Sequence, residues 1–373
     1  MFFDYLYELT GMQLFSSRLF AGGAALFLSF ILSVTLFPLY IKKLQELHFS
    51  SELEVSKHQP VMPAGIFFVV IITAMTLITS RFNNYVLSAL VVYLFYAVVG
   101  AVDDIAKILN KRRLLRNEIT AKEYQYKMDG ISASLRLTLY IVIALIVAII
   151  SYHFNPSMGS DVTLPLFKGM PVLPVWVFIP IMTITIAVLA NGVNFTDGFD
   201  TLSTVPLLTN LTFIGIIAYV SSRPDWSSWF LIPQIQGINE IIPLVGAAFG
   251  VLLGFLWFNA PPSRIIMGDS GSIALGGLIG ILFIFIKAEF YLPIVAFIFI
   301  VEFASSFIQI FWYKLTKKRV FRRAPIHHHY QFKMRDSKKY SREGDIKSII
   351  TWRFHITSTV LLILGLVLFL KVR

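Results

Sequence analysis

Long apolar runs recur along the chain, from Leu19 to Ile41, Ile66 to Thr79, Leu135 to Ser151, Gly237 to Phe258 and Leu292 to Tyr313. With its flanks, each approaches or exceeds the roughly 20 apolar residues a helix needs to cross a bilayer. A chain carrying several such runs is bound to a membrane, and its composition agrees. Of its 373 residues 56% are hydrophobic and only 14% charged, against about a quarter charged in ordinary soluble domains. The expected fold is all-α, a polytopic integral membrane protein with about ten transmembrane helices. Their approximate limits are 19–41, 62–80, 84–102, 133–153, 173–190, 203–221, 238–258, 273–288, 291–313 and 353–371. No amino-terminal signal with a small-residue cleavage site stands out, so the first span is expected both to target and to anchor the chain. Without an internal repeat, a low-complexity tract or a second soluble domain, residues 1–373 read as one transmembrane domain.

Charge orients this domain. Of the 32 Lys and Arg residues, 25 fall at Arg264 or within 42–61, 103–136 and 314–353, which the span limits place on one side. Basic residues gather on the cytoplasmic side of membrane proteins, which puts both termini outside and the basic segments within. The formal charge of +11 is then mostly topological, with some attraction for anionic lipid or phosphorylated ligands, and nucleic acid is not required to explain it. The absence of cysteine excludes disulfides and a thiolate nucleophile.

Four polar clusters interrupt this apolar chain, and the topology brings all of them to the cytoplasmic face. They are "GAVDDIAK" (100–107), "NGVNFTDGFD" (191–200), "FNAPPSRIIMGDSGS" (258–272) and "RRAPIHHHYQF" (322–332). An acid at a helix end can be merely a solvated cap, but a carboxylate at the bilayer centre costs about 2.5–3.5 kcal/mol on insertion scales, so acids repeated at helix ends suit a polar cleft open to water. Loop segments 42–61, 103–132, 191–202, 259–272 and 314–352 would build its walls. If 191–200 is helical, Asn191, Asn194, Asp197 and Asp200 stand three apart and each neighbouring pair shares a face.

The acids Asp103, Asp104, Asp197, Asp200 and Asp269 offer oxygen ligands alone. Such sites suit Mg²⁺ or Mn²⁺, and Mg²⁺ commonly binds through one or two carboxylates plus substrate phosphates. Lys107, Arg322 and Arg323, with the turns at Gly268 and Gly271, could supply cations and N–H groups to those phosphates, which points to phosphoryl transfer. "GDSGS" by itself is a common loop sequence. In an extended loop His327 and His329 would share a face, either to donate to a diphosphate or as part of a solvated cationic loop near lipid headgroups.

Together, "VDD" (102–104), "NFTDGFD" (194–200), "FLWFNAPPSRIIMGDSGSIALGG" (255–277) and "FRRAPIHHHYQF" (321–332) resemble the polyprenyl-phosphate N-acetylhexosamine 1-phosphate transferases. The segment "APIHHHYQF" is similar to the phospho-N-acetylmuramoyl-pentapeptide transferase branch of that superfamily. The resemblance covers nearly the whole chain in consistent order. It implies a Mg²⁺-dependent enzyme of the bacterial cytoplasmic (inner) membrane, multi-pass, with its active site on the cytoplasmic face. Phospho-MurNAc-pentapeptide would pass from UDP-MurNAc-pentapeptide to undecaprenyl phosphate, giving lipid I and UMP, the first membrane step of peptidoglycan synthesis. The implied partners are those two substrates and membrane lipid, with a homodimer also expected.

By position, the resemblance implies that Asp269 is the metal ligand and that Asp103 and Asp104 are the acidic pair, with Asp103 activating or orienting the lipid phosphate. Asn194 and Asp197 would lie near metal and phosphates, with His327, His328 and His329 as the histidine loop of the catalytic set. Asp200, Asn191, Asn259, Lys107 and Ile266 complete the implied substrate-binding set. Several positions depart from the family pattern. Ile266 stands where an aromatic residue stacks on uracil, Pro63 and Ala64 replace glycines in "QPVMPAG" (59–65), and Thr201 replaces a glycine. A basic stretch, "KMRDSKKYSREGDIK" (333–347), replaces the Gly-Trp after the histidines. These changes leave open a related transferase using UDP-N-acetylglucosamine or another sugar nucleotide. A non-enzymatic transporter is a further alternative, although transporters usually hold their site near the midplane.

Overall fold

The computed structural model describes residues 2–47, 49, 60–120, 123, 133–155, 158–167, 169–337, 340 and 342–370. Residues 48 and 50–59 of the expected 42–61 loop, including Gln59, residues 121, 122 and 124–132 of the expected 103–132 loop, and three residues of the basic stretch (338, 339 and 341) lie outside these. The described residues form helices without a strand: α1 (Phe2–Thr10), α2 (Arg18–Glu46), α3 (Gly65–Thr79), α4 (Asn84–Leu115), α5 (Ala133–Phe154), α6 (Val175–Thr196), α7 (Thr204–Ser222), α8 (Pro224–Phe230), α9 (Ile242–Asn259), α10 (Asp269–Phe285), α11 (Leu292–Val295), α12 (Phe297–Thr316), α13 (Ile326–Asp336) and α14 (Glu343–Phe369).

Among the described residues eight helices are long and apolar enough to span a membrane, and a ninth span follows if the pair 269–285 and 289–295, bent by 120°, counts as one. The shorter apolar helix α3 occupies the second expected span. Several boundaries differ from expectation, among them the start of the last span, expected at 353 but found at Glu343 as α14. The third span was expected to end at 102, yet α4 continues to Leu115. Its 32 residues make about 48 Å at 1.5 Å per residue, well beyond a ~30 Å hydrocarbon core. The ninth expected span, 291–313, is divided into α11 and α12 at Ala296.

Helix α10 is the axis of the bundle, with every residue from Ser270 to Phe285 buried, and it packs chiefly between α4 and α6. Without a hydrophobic drive between helices in lipid, close packing at small residues holds them together. At Gly276 of α10 a Cβ would fall 2.5 Å from the Leu189 carbonyl oxygen of α6. Helix α9 meets α2 in the same way, with the place of a Cβ on Gly250 only 2.1 Å from the Leu26 carbonyl oxygen. At the end of α4 remote from Asp103, Asp4 accepts from Arg18 at 2.6 Å and also pairs with Arg81, so that α1 is fastened to α2 and to the turn before α4.

Candidate active site

The start of α10 is where the polar clusters converge. Asp269 is its first residue, following Gly268 at φ +76°. Its backbone N–H and that of Ser270 donate to the two carboxylate oxygens of Asp104, at 2.9 and 2.8 Å. A carboxylate from α4 thus satisfies orphan N–H groups of another helix and faces the positive end of its dipole. Asp104 has no exposed surface and both its oxygens are engaged, so it places Asp269. The close approach needs glycine on both neighbours. A Cβ on Gly65 would lie 2.0 Å from the Gly271 nitrogen, and one on Gly100 would lie 2.5 Å from the Asp269 carbonyl oxygen.

Asp103 points the other way and meets Asp269 across two cations. Lys107 Nζ donates to Oδ2 of Asp103 at 2.8 Å and to Oδ2 of Asp269 at 2.9 Å. Arg136 of α5 reaches the same two oxygens at 3.3 and 3.4 Å. On the far side of Asp269, Asn194 donates its amide to Oδ1 at 2.9 Å and to Ser272 Oγ at 3.0 Å. Among the described residues no group of three or more His, Asp or Glu side chains could by itself hold a metal ion. Yet Asp103 and Asp269 bracket one positive charge within 2.9 Å of each. Two carboxylate oxygens, completed by substrate phosphates, are a donor set that suits Mg²⁺.

The segment "NGVNFTDGFD" is helical only to Thr196, so Asn191 and Asn194 ride on α6 while Asp197 and Asp200 lie on the turn that follows. The expected sharing of a helical face by neighbouring pairs is therefore kept only for Asn191 and Asn194. Asn191 is buried and donates its amide to the Ala187 carbonyl of its own helix at 2.8 Å, away from the acids that Asn194 joins. Asp197 accepts from Ser203 Oγ at 2.8 Å. Burial pushes its pKa up to about 7, the carboxylates of Asp269, Asp104 and Asp200 push the same way, and the Ser203 hydroxyl opposes them. Asp200 is partly exposed in a cavity of about 350 Å³ between this turn, the end of α9 and the first turns of α14.

Thr201 occupies the left-handed region at φ +61°, where a residue with a Cβ costs roughly 1–2 kcal/mol. This explains why a glycine is usual there. Here the peptide groups flanking Thr201 are held instead. Its N–H donates to Asn259 Oδ1 at 2.8 Å and its carbonyl accepts from His355 Nε2 at 2.9 Å. Asn259 also donates to the Ile265 carbonyl at 2.9 Å, so this expected substrate contact is engaged in joining two loops. Residues 61–65 run alongside 264–267, with Ile266 N–H donating to the Val61 carbonyl at 2.8 Å and Ala64 N–H to the Ile266 carbonyl at 2.9 Å. Ile266 is half-buried in that pairing.

The histidines lie on helix α13, where an extended loop was expected. Pro325 stands just before the first helical residue, where its missing N–H costs no intrahelical bond. On a helix His327, His328 and His329 point in three directions, and the expected shared face of His327 and His329 is lost. His327 is 1% exposed, pairs through Nδ1 with Glu302 Oε2 at 2.8 Å, and rests against Gly198 and the Phe199 ring. His328 donates from Nδ1 to Gln331 Oε1 at 2.8 Å. Burial, with His327, Arg323 and Lys347 nearby, pulls its pKa down to about 4 against the hydrogen bond to Gln331. His329 Nδ1 accepts from the Arg322 N–H at 3.1 Å, and burial with Lys333 and Arg322 nearby lowers its pKa too. None of the three shares a hydrogen bond with Asp103 or Asp269 among the described contacts.

An open cleft of about 830 Å³ lies beside the acids, lined by Arg136, Arg319, Arg322 and Arg323 and by apolar residues such as Phe195 and Ile310. Phe195 begins a stack of rings along α12. Phe303, Phe307 and Phe311 follow at centroid distances of 6.2, 6.2 and 6.5 Å with interplanar angles of 15° or less. Phe307 and Phe311 are 60% and 57% exposed. The sequence reading did not single out Arg136, Glu302, Ser272 or His355. A lone acid such as Glu302 inside an apolar span is a signal in itself, and His355 carried the same signal within the last span.

The family model for glycosyl transferase family 4 matches residues 86–287, more than half of the chain. The chain is 34% identical to the phospho-N-acetylmuramoyl-pentapeptide-transferase of Campylobacter curvus, over 89% of this chain and 92% of that protein. Its identity to the protein of the same name from Ruegeria pomeroyi is 36%, over 83% and 79%, and to that from a Nitratiruptor species 33%, over 88% and 91%. The matched residues include Asp103, Asp104, Asn194 and Asp269, the same side chains that the fold draws together. The chain belongs to the phospho-N-acetylmuramoyl-pentapeptide transferases, within glycosyl transferase family 4.

Proposed function

We propose that this protein transfers phospho-MurNAc-pentapeptide from UDP-MurNAc-pentapeptide to undecaprenyl phosphate, forming lipid I and releasing UMP. The observation that carries this reading is the position of Arg136. One guanidinium touches both Asp103 and Asp269 and also lines the arginine cleft. A phosphate on the end of an apolar chain would find cations in that cleft and a ring-lined apolar surface beside it. A soluble donor would reach the acids from the side of the basic segments, which favours a site at the cytoplasmic face of the bacterial inner membrane.

An oxygen of the lipid phosphate attacks the β-phosphorus of the donor, a new P–O bond forms, and the bond from that phosphorus to the bridging oxygen breaks. The electron pair leaves with UMP. Arg136 and Lys107 hold and neutralise phosphate oxygens, and Asn194 fixes the rotamer of Asp269. Asp103 orients the acceptor through Lys107 and Arg136, which it holds in place; at neutral pH the acceptor is already largely a dianion because its second pKa is about 6. Mg²⁺, held by Asp269 with Asp103 beside it, would neutralise the diphosphate as charge builds on the leaving oxygen. Catalysis of this kind is mostly positioning and electrostatics.

The test is UMP release by detergent-purified protein given undecaprenyl phosphate and Mg²⁺, with the muramoyl-pentapeptide donor set against UDP-N-acetylglucosamine. Preferred release from the muramoyl donor, with a matching lipid product, is expected. Release from UDP-N-acetylglucosamine alone would move the chain to another donor, and release from neither would overturn the reading.

A further inference from the structure

We infer that His355, in the last helix and outside the acidic centre, is a positioning residue for donor binding that acts through the backbone of Thr201. The inference rests on the transferase reading above. Thr201 sits at φ +61°, a conformation glycine adopts freely and threonine does not, so at this position the shape of the turn depends on what grips it. Two buried hydrogen bonds do so from opposite sides. Asn259 Oδ1 accepts the Thr201 N–H at 2.8 Å, and His355 Nε2 lies 2.9 Å from the Thr201 carbonyl oxygen. A carbonyl can only accept, so Nε2 carries the proton and the tautomer is fixed. His355 is 8% exposed and Asn259 4%, which leaves little water to replace either bond.

The gripped peptide follows directly on Asp200, and Asp197 stands four residues before Thr201. Asn259 also holds the Ile265 carbonyl at 2.9 Å, four residues before Asp269. The turn bearing Asp197 and Asp200 and the loop leading to Asp269 are therefore braced by one amide, and His355 anchors that brace to α14. A ring contact of 5.7 Å with Trp352 packs against the imidazole. The lipid phosphate would meet Arg136 and Asp103 instead, so loss of the His355 bond should fall on the donor.

His355→Leu, His355→Gln, Thr201→Gly and the double variant Thr201→Gly/His355→Leu are compared in the purified full-length protein. Donor and acceptor KM, kcat and thermal unfolding are measured for each. His355→Leu is expected to raise donor KM about tenfold, with acceptor KM within twofold of wild type. His355→Gln, which keeps a donor near the Nε2 position, should recover most of that loss. With Thr201→Gly the turn no longer needs holding, so adding His355→Leu should raise donor KM much less than it does in the threonine background. Donor KM unchanged in a folded His355→Leu, or an equal loss in both backgrounds, would overturn the inference. If His355→Leu alone does not fold, the double variant decides. Donor KM close to that of Thr201→Gly supports the grip, and a tenfold higher value or no folded protein contradicts it. A wild-type protein that releases no UMP would instead refute the transferase reading, an outcome distinct from any of these.

Discussion

The acidic centre and the histidine helix lie within one fold, yet they use their polar groups in opposite ways. At the acidic centre two carboxylates of different helices share two cations, and Arg136 opens onto an arginine-lined cleft. On α13 the hydrogen bonds turn inward, from His327 to Glu302 and from His328 to Gln331, which passes on to Glu343. The first region holds its charges at the edge of an open cleft, and the second buttresses the turn at Gly198 and Phe199. Neighbours in sequence divide in the same way. Asp103 faces the cations while Asp104 caps α10, so a two-residue motif supplies one member of a charge cluster and one support.

The largest effect is expected at Asp103. Asp103→Asn should lower kcat by about 10²–10³-fold, the usual cost of removing one aimed electrostatic group, with the thermal midpoint in detergent little changed. Asp104→Ala should lower that midpoint by a few degrees, since a lost helix cap costs about 1 kcal/mol, and reduce activity through misplaced Asp269. Equal midpoints for the two variants would erase the division between them. Arg136→Ala comes next, and should raise the KM of the lipid phosphate roughly tenfold or more, as loss of a charge-assisted contact predicts, while leaving donor KM nearly unaltered. A rise in donor KM alone would put the acceptor elsewhere.

Smaller effects belong to pH. The folded pKa of Asp197, about 7, lies above its ordinary value of 3.8, so the native state binds the proton more tightly than the unfolded state. Its contribution to stability is complete below about pH 4 and is lost as pH rises through 7. Asp197→Asn should remove that loss, so the variant's midpoint relative to wild type should climb between pH 5 and 8. A constant difference would contradict the burial of this carboxyl. His328, with its pKa pulled down to about 4, should remain neutral from pH 6 to 9. His328→Gln should therefore leave the shape of the pH–rate profile unchanged over that range.

Much of the fold could be read from the sequence because lipid imposes a coarse rule, and apolar runs of sufficient length had to become helices. Boundaries were less legible where a helix leaves the membrane. The charged residues from Lys107 to Arg113 read as a loop but continue α4, since Lys and Arg are good helix formers once outside hydrocarbon. Motif chemistry pointed to Asp269, Asp103, Asn194 and Lys107, and the fold brings these four side chains together. That chemistry left Asp104 without a task distinct from its neighbour's, because capping α10 depends on which way each side chain leaves α4. Nor could it foresee that Asn259 and His355 meet at Thr201, a contact made between residues 58 and 154 positions apart.

The most direct test of the acidic centre is single-turnover formation of UMP by Asp269→Asn beside wild type, with both substrates saturating and both proteins shown to be folded. If Asp269 holds the reacting diphosphate in register with Asp103, the variant should form UMP at least 10²-fold more slowly. A rate within a few-fold of wild type would mean that transfer occurs elsewhere in the molecule.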